Sequence, residues 1–146
     1  MVVEEPLKSL AVADLYIVLY DALVANPEKV GHGWEGIFYG ENGEHSWYQI
    51  SKAIGEAMVA LGLTTDPEPT PFAVEEYVKY FGSEIMALYH GTNSRCRSNR
   101  ARALGWKPKY TTEDMLKSIY PEVEALWKQK QQGTLQHKVE PSVGRK

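Results

Sequence analysis

The stretch GHGWEGIFYGENGEHSWYQISK, residues 31–52, holds two patterns that could do chemistry. Gly31-x-Gly33-x-x-Gly36 has the spacing with which a glycine turn brings backbone amides up to a dinucleotide pyrophosphate. Tyr48-x-x-x-Lys52 has the spacing at which an ammonium group acidifies a phenol enough for proton exchange near neutrality. Context argues against both. A phosphate cradle follows a strand and opens a helix, so that the helix amino terminus faces the anion. Here the glycines follow a predicted helix and precede a predicted strand. Tyr48 and Lys52 fall on one helix face, but it is the face opposite Ile50, Ile54 and Leu61, shared with Glu56, and it reads as solvated. No nucleotide site precedes the pair. Gly31, Gly33 and Gly36 are therefore read as a flexible loop, and Tyr48 and Lys52 as surface residues.

The next candidates are cationic. Residues 1–90 carry a formal charge of −10 and residues 91–146 one of +7, and the segment Arg95–Lys109 holds six basic residues and no acid. Arg95, Arg97, Arg100 and Arg102 could each grip a phosphate or carboxylate in two-point fashion. Their bland alternative is a solvated basic face whose stems cover apolar surface. Nucleic acid is set aside, because the whole chain is acidic and no aromatic platform or groove-reading motif accompanies the arginines. Cys96, the single cysteine, sits among these cations, yet a nucleophile needs a positioned base and none is evident. One cysteine also excludes an internal disulfide and suits a reducing compartment. The four histidines are scattered without cysteine partners, so no metal site is proposed. Trp47 and Trp106, beside caps and glycine turns, read as core anchors.

Helices must position these groups. Residues 7–25 are apolar on every side, which predicts a helix with neighbours all round, ended by Asn26-Pro27. The run 10–24 is too short to span a bilayer and carries Asp14 and Asp21, so no membrane association is expected and the chain is read as cytosolic. Ile37–Tyr39 reads as a short strand before the 40–43 turn, and Val2-Val3 could join it. Ser46 and Gln49 form a capping box for a helix closed by Gly62. Thr70 and Pro71 predict a helix through Phe81, Ser83 one to His90, and Asn93 or Ser94 the arginine-rich helix ending at Leu104-Gly105. Thr111 caps a final pair divided at Pro121. Residues 133–146 lack periodicity and read as a disordered tail. The fold class is thus mainly α with one or two short strands. A single strand with apolar residues on both faces belongs inside a sheet, and its amides and carbonyls need partners.

Several stretches together resemble one family. Ala13-Asp14-Leu15-Tyr16, Gly36-Ile37-Phe38-Tyr39, Glu44-His45-Ser46-Trp47 and Ile54-Gly55-Glu56-Ala57 occur in the order and spacing of the carboxyl-terminal half of extended and atypical short-chain dehydrogenases, the NAD(P)-dependent epimerase/dehydratase family, fungal members included. The most specific stretch runs from Asn93 to Pro108 and closes on Leu104-Gly105-Trp106-Lys107-Pro108, similar to that family's arginine-rich helix. The resemblance covers roughly residues 10–127 and implies the substrate-side half of a Rossmann-type α/β enzyme, with the nucleotide-binding half absent. Residues 1–9 do not match, and Leu10 and Ala11 stand where the family has two acids. Such a pattern suits a shortened gene or a surviving half with a new role. The resemblance implies NAD(P)-dependent redox or epimerisation chemistry on a small molecule. It also implies that this chain alone holds no cofactor and is catalytically deficient. A nucleotide-binding half, or another subunit, would then pair through the strand and the first helix. The alternative expectation is a non-catalytic interaction module. By resemblance the substrate lies against this half of the protein, where at least one of Arg95, Arg97, Arg100 and Arg102 would contact it, although the family's diphosphate-binding arginine has no counterpart around Tyr89-His90.

Overall fold

The computed structural model describes residues 7–134, and these are mainly helical. Seven α-helices follow in order: α1 Leu7–Ala25, α2 Trp47–Ala60, α3 Tyr77–Phe81, α4 Glu84–Gly91, α5 Asn99–Ala103, α6 Thr112–Lys117 and α7 Ile119–Gln131. Three short 3-10 turns, Pro27–Lys29, Gly33–Gly36 and Val74–Glu76, punctuate them. No helix among the described residues is long and apolar enough to cross a membrane. The Val2-Val3 strand and most of the expected tail lie outside the described residues.

The described residues divide into two compact units, one of residues 7–46 and 95–122, the other of residues 47–94 and 123–134. In the first unit, α1 stops where expected. Asn26 leaves helical geometry at φ −161°, ψ 89°, because the following proline crowds the helical conformation out. Leu15 of α1 meets Ala101 of α5 and Trp106 in a small core that Val18, Leu19 and Phe38 flank. Gly105 makes this core possible. At φ +102° it reverses the chain after α5, so that the Trp106 amide bonds the Ala101 carbonyl and the Gly105 amide the Arg102 carbonyl. That double bond pattern caps the helix end and drops the indole onto Ala101. Trp106 is the core anchor the sequence promised, at 2% exposure. α1 also packs against α6, whose Met115 is buried. Thr111 and Asp114 cap α6 reciprocally, the Thr111 amide donating to the Asp114 carboxylate at 2.8 Å.

In the second unit, α2 ends on Gly62 at φ +71°, where the Leu63 amide reaches back to Met58 and the Gly62 amide to Val59. Ser83 caps α4 by accepting from the Met86 amide.

Four expectations are corrected. There is no strand among the described residues: Ile37 is extended at φ −87°, ψ 121°, but residues 37–46 join no sheet. The helix expected from Pro71 starts only at Val74 as a 3-10 turn, because the chain stays extended to Ala73, whose amide the Glu76 carboxylate accepts. The arginine-rich helix begins at Asn99, capped positionally by Ser98 rather than by Asn93 or Ser94. Trp47 is no core residue; at 62% exposure its indole N–H donates to the His90 carbonyl at 2.8 Å.

Candidate functional site

The glycine pattern takes its shape from the turn it makes. Gly31 and Gly33 have φ of +74° and +56°, a region costly for side chains with a Cβ. A Cβ at Gly31 would press on Glu35 at 3.1 Å, so the loop closes on itself through this glycine. The glycines lie after α1 and the Pro27–Lys29 turn, frame the Gly33–Gly36 turn, and lead into residues 37–46, which form no strand.

Tyr48 and Lys52 do share one face of α2, one helical turn apart, and that face is open to solvent, with Tyr48 58% exposed. Both side chains converge on Glu68 in the proline-rich turn: the Tyr48 hydroxyl donates to Glu68 Oε2 at 3.1 Å, and the Lys52 ammonium ion-pairs with Glu68 Oε1. The Glu68 carboxylate bond raises the Lys52 pKa, and the same bond, with that from Tyr48, lowers that of Glu68. One turn further along the same face, a Cβ on Gly55 would run into the Pro67 carbonyl. Tyr48, Lys52 and Gly55 thus form a seat for Pro67-Glu68. The phenol proton and the ammonium charge are both committed to a carboxylate of the chain itself.

The four arginines have separate duties. Arg100 Nη1 donates to the carbonyls of Trp34 at 2.5 Å and Ile37 at 3.3 Å. Arg102 Nη2 reaches the Glu41 carbonyl at 3.2 Å and Asn42 Oδ1 at 3.1 Å, with its guanidinium 5.7 Å from the centre of the Trp106 ring. Arg95 makes a loose pair with Glu44 at 3.5 Å between exposed side chains, a contact worth little in water. Arg97 is exposed and acts on Glu41 through its charge.

Ser98 and Glu41 are the two residues that sequence reasoning missed. Ser98 is 1% exposed. Its hydroxyl accepts from the Glu41 amide at 2.6 Å and lies 2.6 Å from the Tyr39 carbonyl and 3.0 Å from that of Glu41, either of which can take its proton. The Glu41 carboxylate in turn accepts from the Gly43 amide at 2.9 Å and the Ser98 amide at 3.2 Å. These backbone bonds, Gly43 first, hold the Glu41 pKa below the usual carboxylate value, aided by the charges of Arg102 and Arg97. The serine directly before Asn99-Arg100-Ala101 is a cap-type residue and could have been singled out. Its partner, 57 residues away, could not.

These bonds explain how a segment that is extended at Ile37 and belongs to neither helix nor sheet is held in place. In extended backbone, alternate residues aim both polar groups to the same side. Residues 37, 39 and 41 are those bonded by Arg100, Ser98 and Arg102. Side chains from α5 and its cap take the place of a neighbouring strand. Further along, Asn42 Nδ2 donates to the Tyr110 carbonyl at 2.5 Å, and Thr112 Oγ1 to that of Glu44 at 3.1 Å.

Comparison with known proteins finds similarity to an oxidase, ucsJ, of an Acremonium species, 33% identical over 82 residues. The matched part is 56% of this chain and 23% of that protein, so the chain spans under a quarter of the curated relative's length. No family model matches the chain. No solved structure matches it.

Proposed function

We propose that the chain is the substrate-side portion of an oxidoreductase of the NAD(P)-dependent epimerase/dehydratase type, acting on a small molecule. On this reading it turns over only together with a nucleotide-binding portion. The observation that carries the proposal is the 82-residue similarity to an oxidase, which supports redox chemistry in general; the NAD(P) dependence rests on the motif resemblance between residues 10 and 127. The geometry supports the dependence on a second portion. Tyr48 and Lys52 spend their proton and charge on Glu68, and the glycine loop opens only a four-residue 3-10 turn. Of the four arginines, Arg95 and Arg97 keep exposed guanidinium groups with which to meet an anionic substrate, while Arg100 and Arg102 hold the 34–42 segment.

Equilibrium dialysis against NADH and NADPH tests the reading. The purified chain alone is expected to show no saturable uptake. Mixed with the unmatched remainder of the Acremonium oxidase, it is expected to bind the dinucleotide and consume it with a small substrate. Saturable binding and turnover by the chain alone would overturn the dependence on a partner. A mixture that forms a complex yet neither binds nor oxidises the dinucleotide would overturn the oxidoreductase reading. A non-catalytic interaction module is the second reading, favoured by the uncovered apolar face of α1.

A further inference from the structure

α1 turns one face inward and, among the described residues, leaves the other exposed. Leu15 is buried and Val18, Leu19 and Ala22 are half-buried, which at 100° per residue defines one side of the helix. The opposite side is where a surface helix carries its polar residues. Here it presents Val12, Tyr16, Ile17, Tyr20, Leu23 and Val24, with Tyr16, Tyr20 and Val24 each about 70% exposed. Val12, Tyr16, Tyr20 and Val24 follow at four-residue steps, a continuous ridge of the kind that seats in the groove of another helix. The patch is on the order of 500 Å², near the upper end of what a monomer ordinarily leaves in water.

The charges choose the occupant. Between Val12 and Ala25 the helix carries Asp14 and Asp21 and no cation. One heptad apart, both project along the same flank of the apolar stripe. A second copy packed antiparallel would set Asp14 of one helix beside Asp21 of the other, like charge against like, while a parallel copy would offer those carboxylates no cation at all. We infer that the outer face of α1 is a docking surface for an amphipathic helix of another polypeptide, one with an apolar stripe bordered on one side by lysine or arginine. This inference stands on the apolar ridge and its acidic border, and holds whether or not the oxidoreductase reading does.

The test uses the full chain and two synthetic helical peptides with identical leucine stripes, one bordered by lysines and the other by glutamates. Fluorescence anisotropy is expected to show saturable one-to-one binding of the lysine-bordered peptide, and binding of the glutamate-bordered peptide weaker by about tenfold or more. The double variant Asp14→Lys/Asp21→Lys should reverse that order. Tyr16→Ser/Tyr20→Ser, at positions exposed in the folded chain, should keep the helical circular dichroism and lose the binding. No saturable binding, equal binding of the two peptides, or binding that survives the tyrosine changes overturns the inference. So does a dimer in sedimentation that the tyrosine changes dissociate, since a second copy would then fill the face. Should the tyrosine variant fail to fold, the charge reversal alone decides: an unreversed preference sinks the proposal.

Discussion

Two irregular segments, one in each unit, are bolted to a helix by side chains, and they are bolted differently. In the first unit the 34–44 segment is held on α5 by a buried neutral hydroxyl, Ser98, with arginines around it. In the second, the proline-rich turn is held on α2 by an open cluster of Glu68, Lys52 and Tyr48, built around the missing side chain of Gly55. Both arrangements satisfy polar groups that no sheet serves. The difference is in what water can repair. When the buried hydroxyl is removed, the Glu41 amide and the Tyr39 carbonyl lose the partner it gave them, a loss that approaches the full desolvation cost. When an exposed ion pair is removed, solvent takes over both ends. Burial, rather than the number or charge of the bonds, therefore ranks the two.

The sharpest way to break that ranking is Ser98→Ala. The change strands the Glu41 amide and removes the donor shared by the Tyr39 and Glu41 carbonyls. A loss of about 3 kcal/mol is expected, read as a lowered urea midpoint with unchanged slope. A loss below about 1 kcal/mol would mean that water reaches the site. Next in size is Gly55→Ala. In an open helix this substitution stabilises by nearly 1 kcal/mol. Here the new methyl meets the Pro67 carbonyl, a backbone atom that cannot swing away, so the sign should invert to a loss of about 1–2 kcal/mol. A gain in thermal stability would show that the turn is not seated on α2.

Legibility in the sequence followed the range of the interactions. The end of α1 at Asn26, the Gly62 and Gly105 terminators and the Ser83 and Thr111 caps depend on neighbours a few residues away, and all were readable. No strand forms at 37–39: the residue types call for extended backbone, which Ile37 adopts, but cannot say what would bond it. The answer was Ser98 and Arg100, some sixty residues further on. The same limit hid the role of Tyr48 and Lys52. Their shared helix face was predictable from spacing, whereas Glu68 arrives from a turn whose path no local rule describes. Trp47 and Trp106 looked alike in sequence, each beside a cap, and only the reversal at Gly105 turned one of them inward.

The Glu41 pKa is lowered in the folded state, chiefly by the Gly43 and Ser98 amides. A depressed carboxyl contributes stability that is present above its unfolded pKa, near 4.3, and is lost as pH falls through the folded value. The wild-type urea midpoint should therefore drop as pH is taken below about 4. Glu41→Gln, which can still accept through one oxygen, should flatten that limb while leaving the spectrum of the folded chain intact. An acid limb as steep as before would mean that another carboxylate carries it.

The exposed clamp should respond least and in a distinguishable way. Glu68 is lowered and Lys52 raised, each mainly by the other. The carboxylate's share of stability fades as pH falls through its depressed pKa, and the lysine's fades as pH rises through its elevated one. The clamp therefore works across the whole neutral range and weakens at both extremes. Glu68→Gln should lower the midpoint only slightly, and the deficit should shrink further in 1 M salt, where charges a few ångströms apart in water are screened. Tyr48→Phe removes a hydrogen bond and no charge, so its smaller deficit should be indifferent to salt. If both variants respond to salt alike, the phenol is coupled to the ion pair and not merely parked beside it. Tyr48 and Lys52 would then behave as one unit in this chain, with Glu68 as their common anchor.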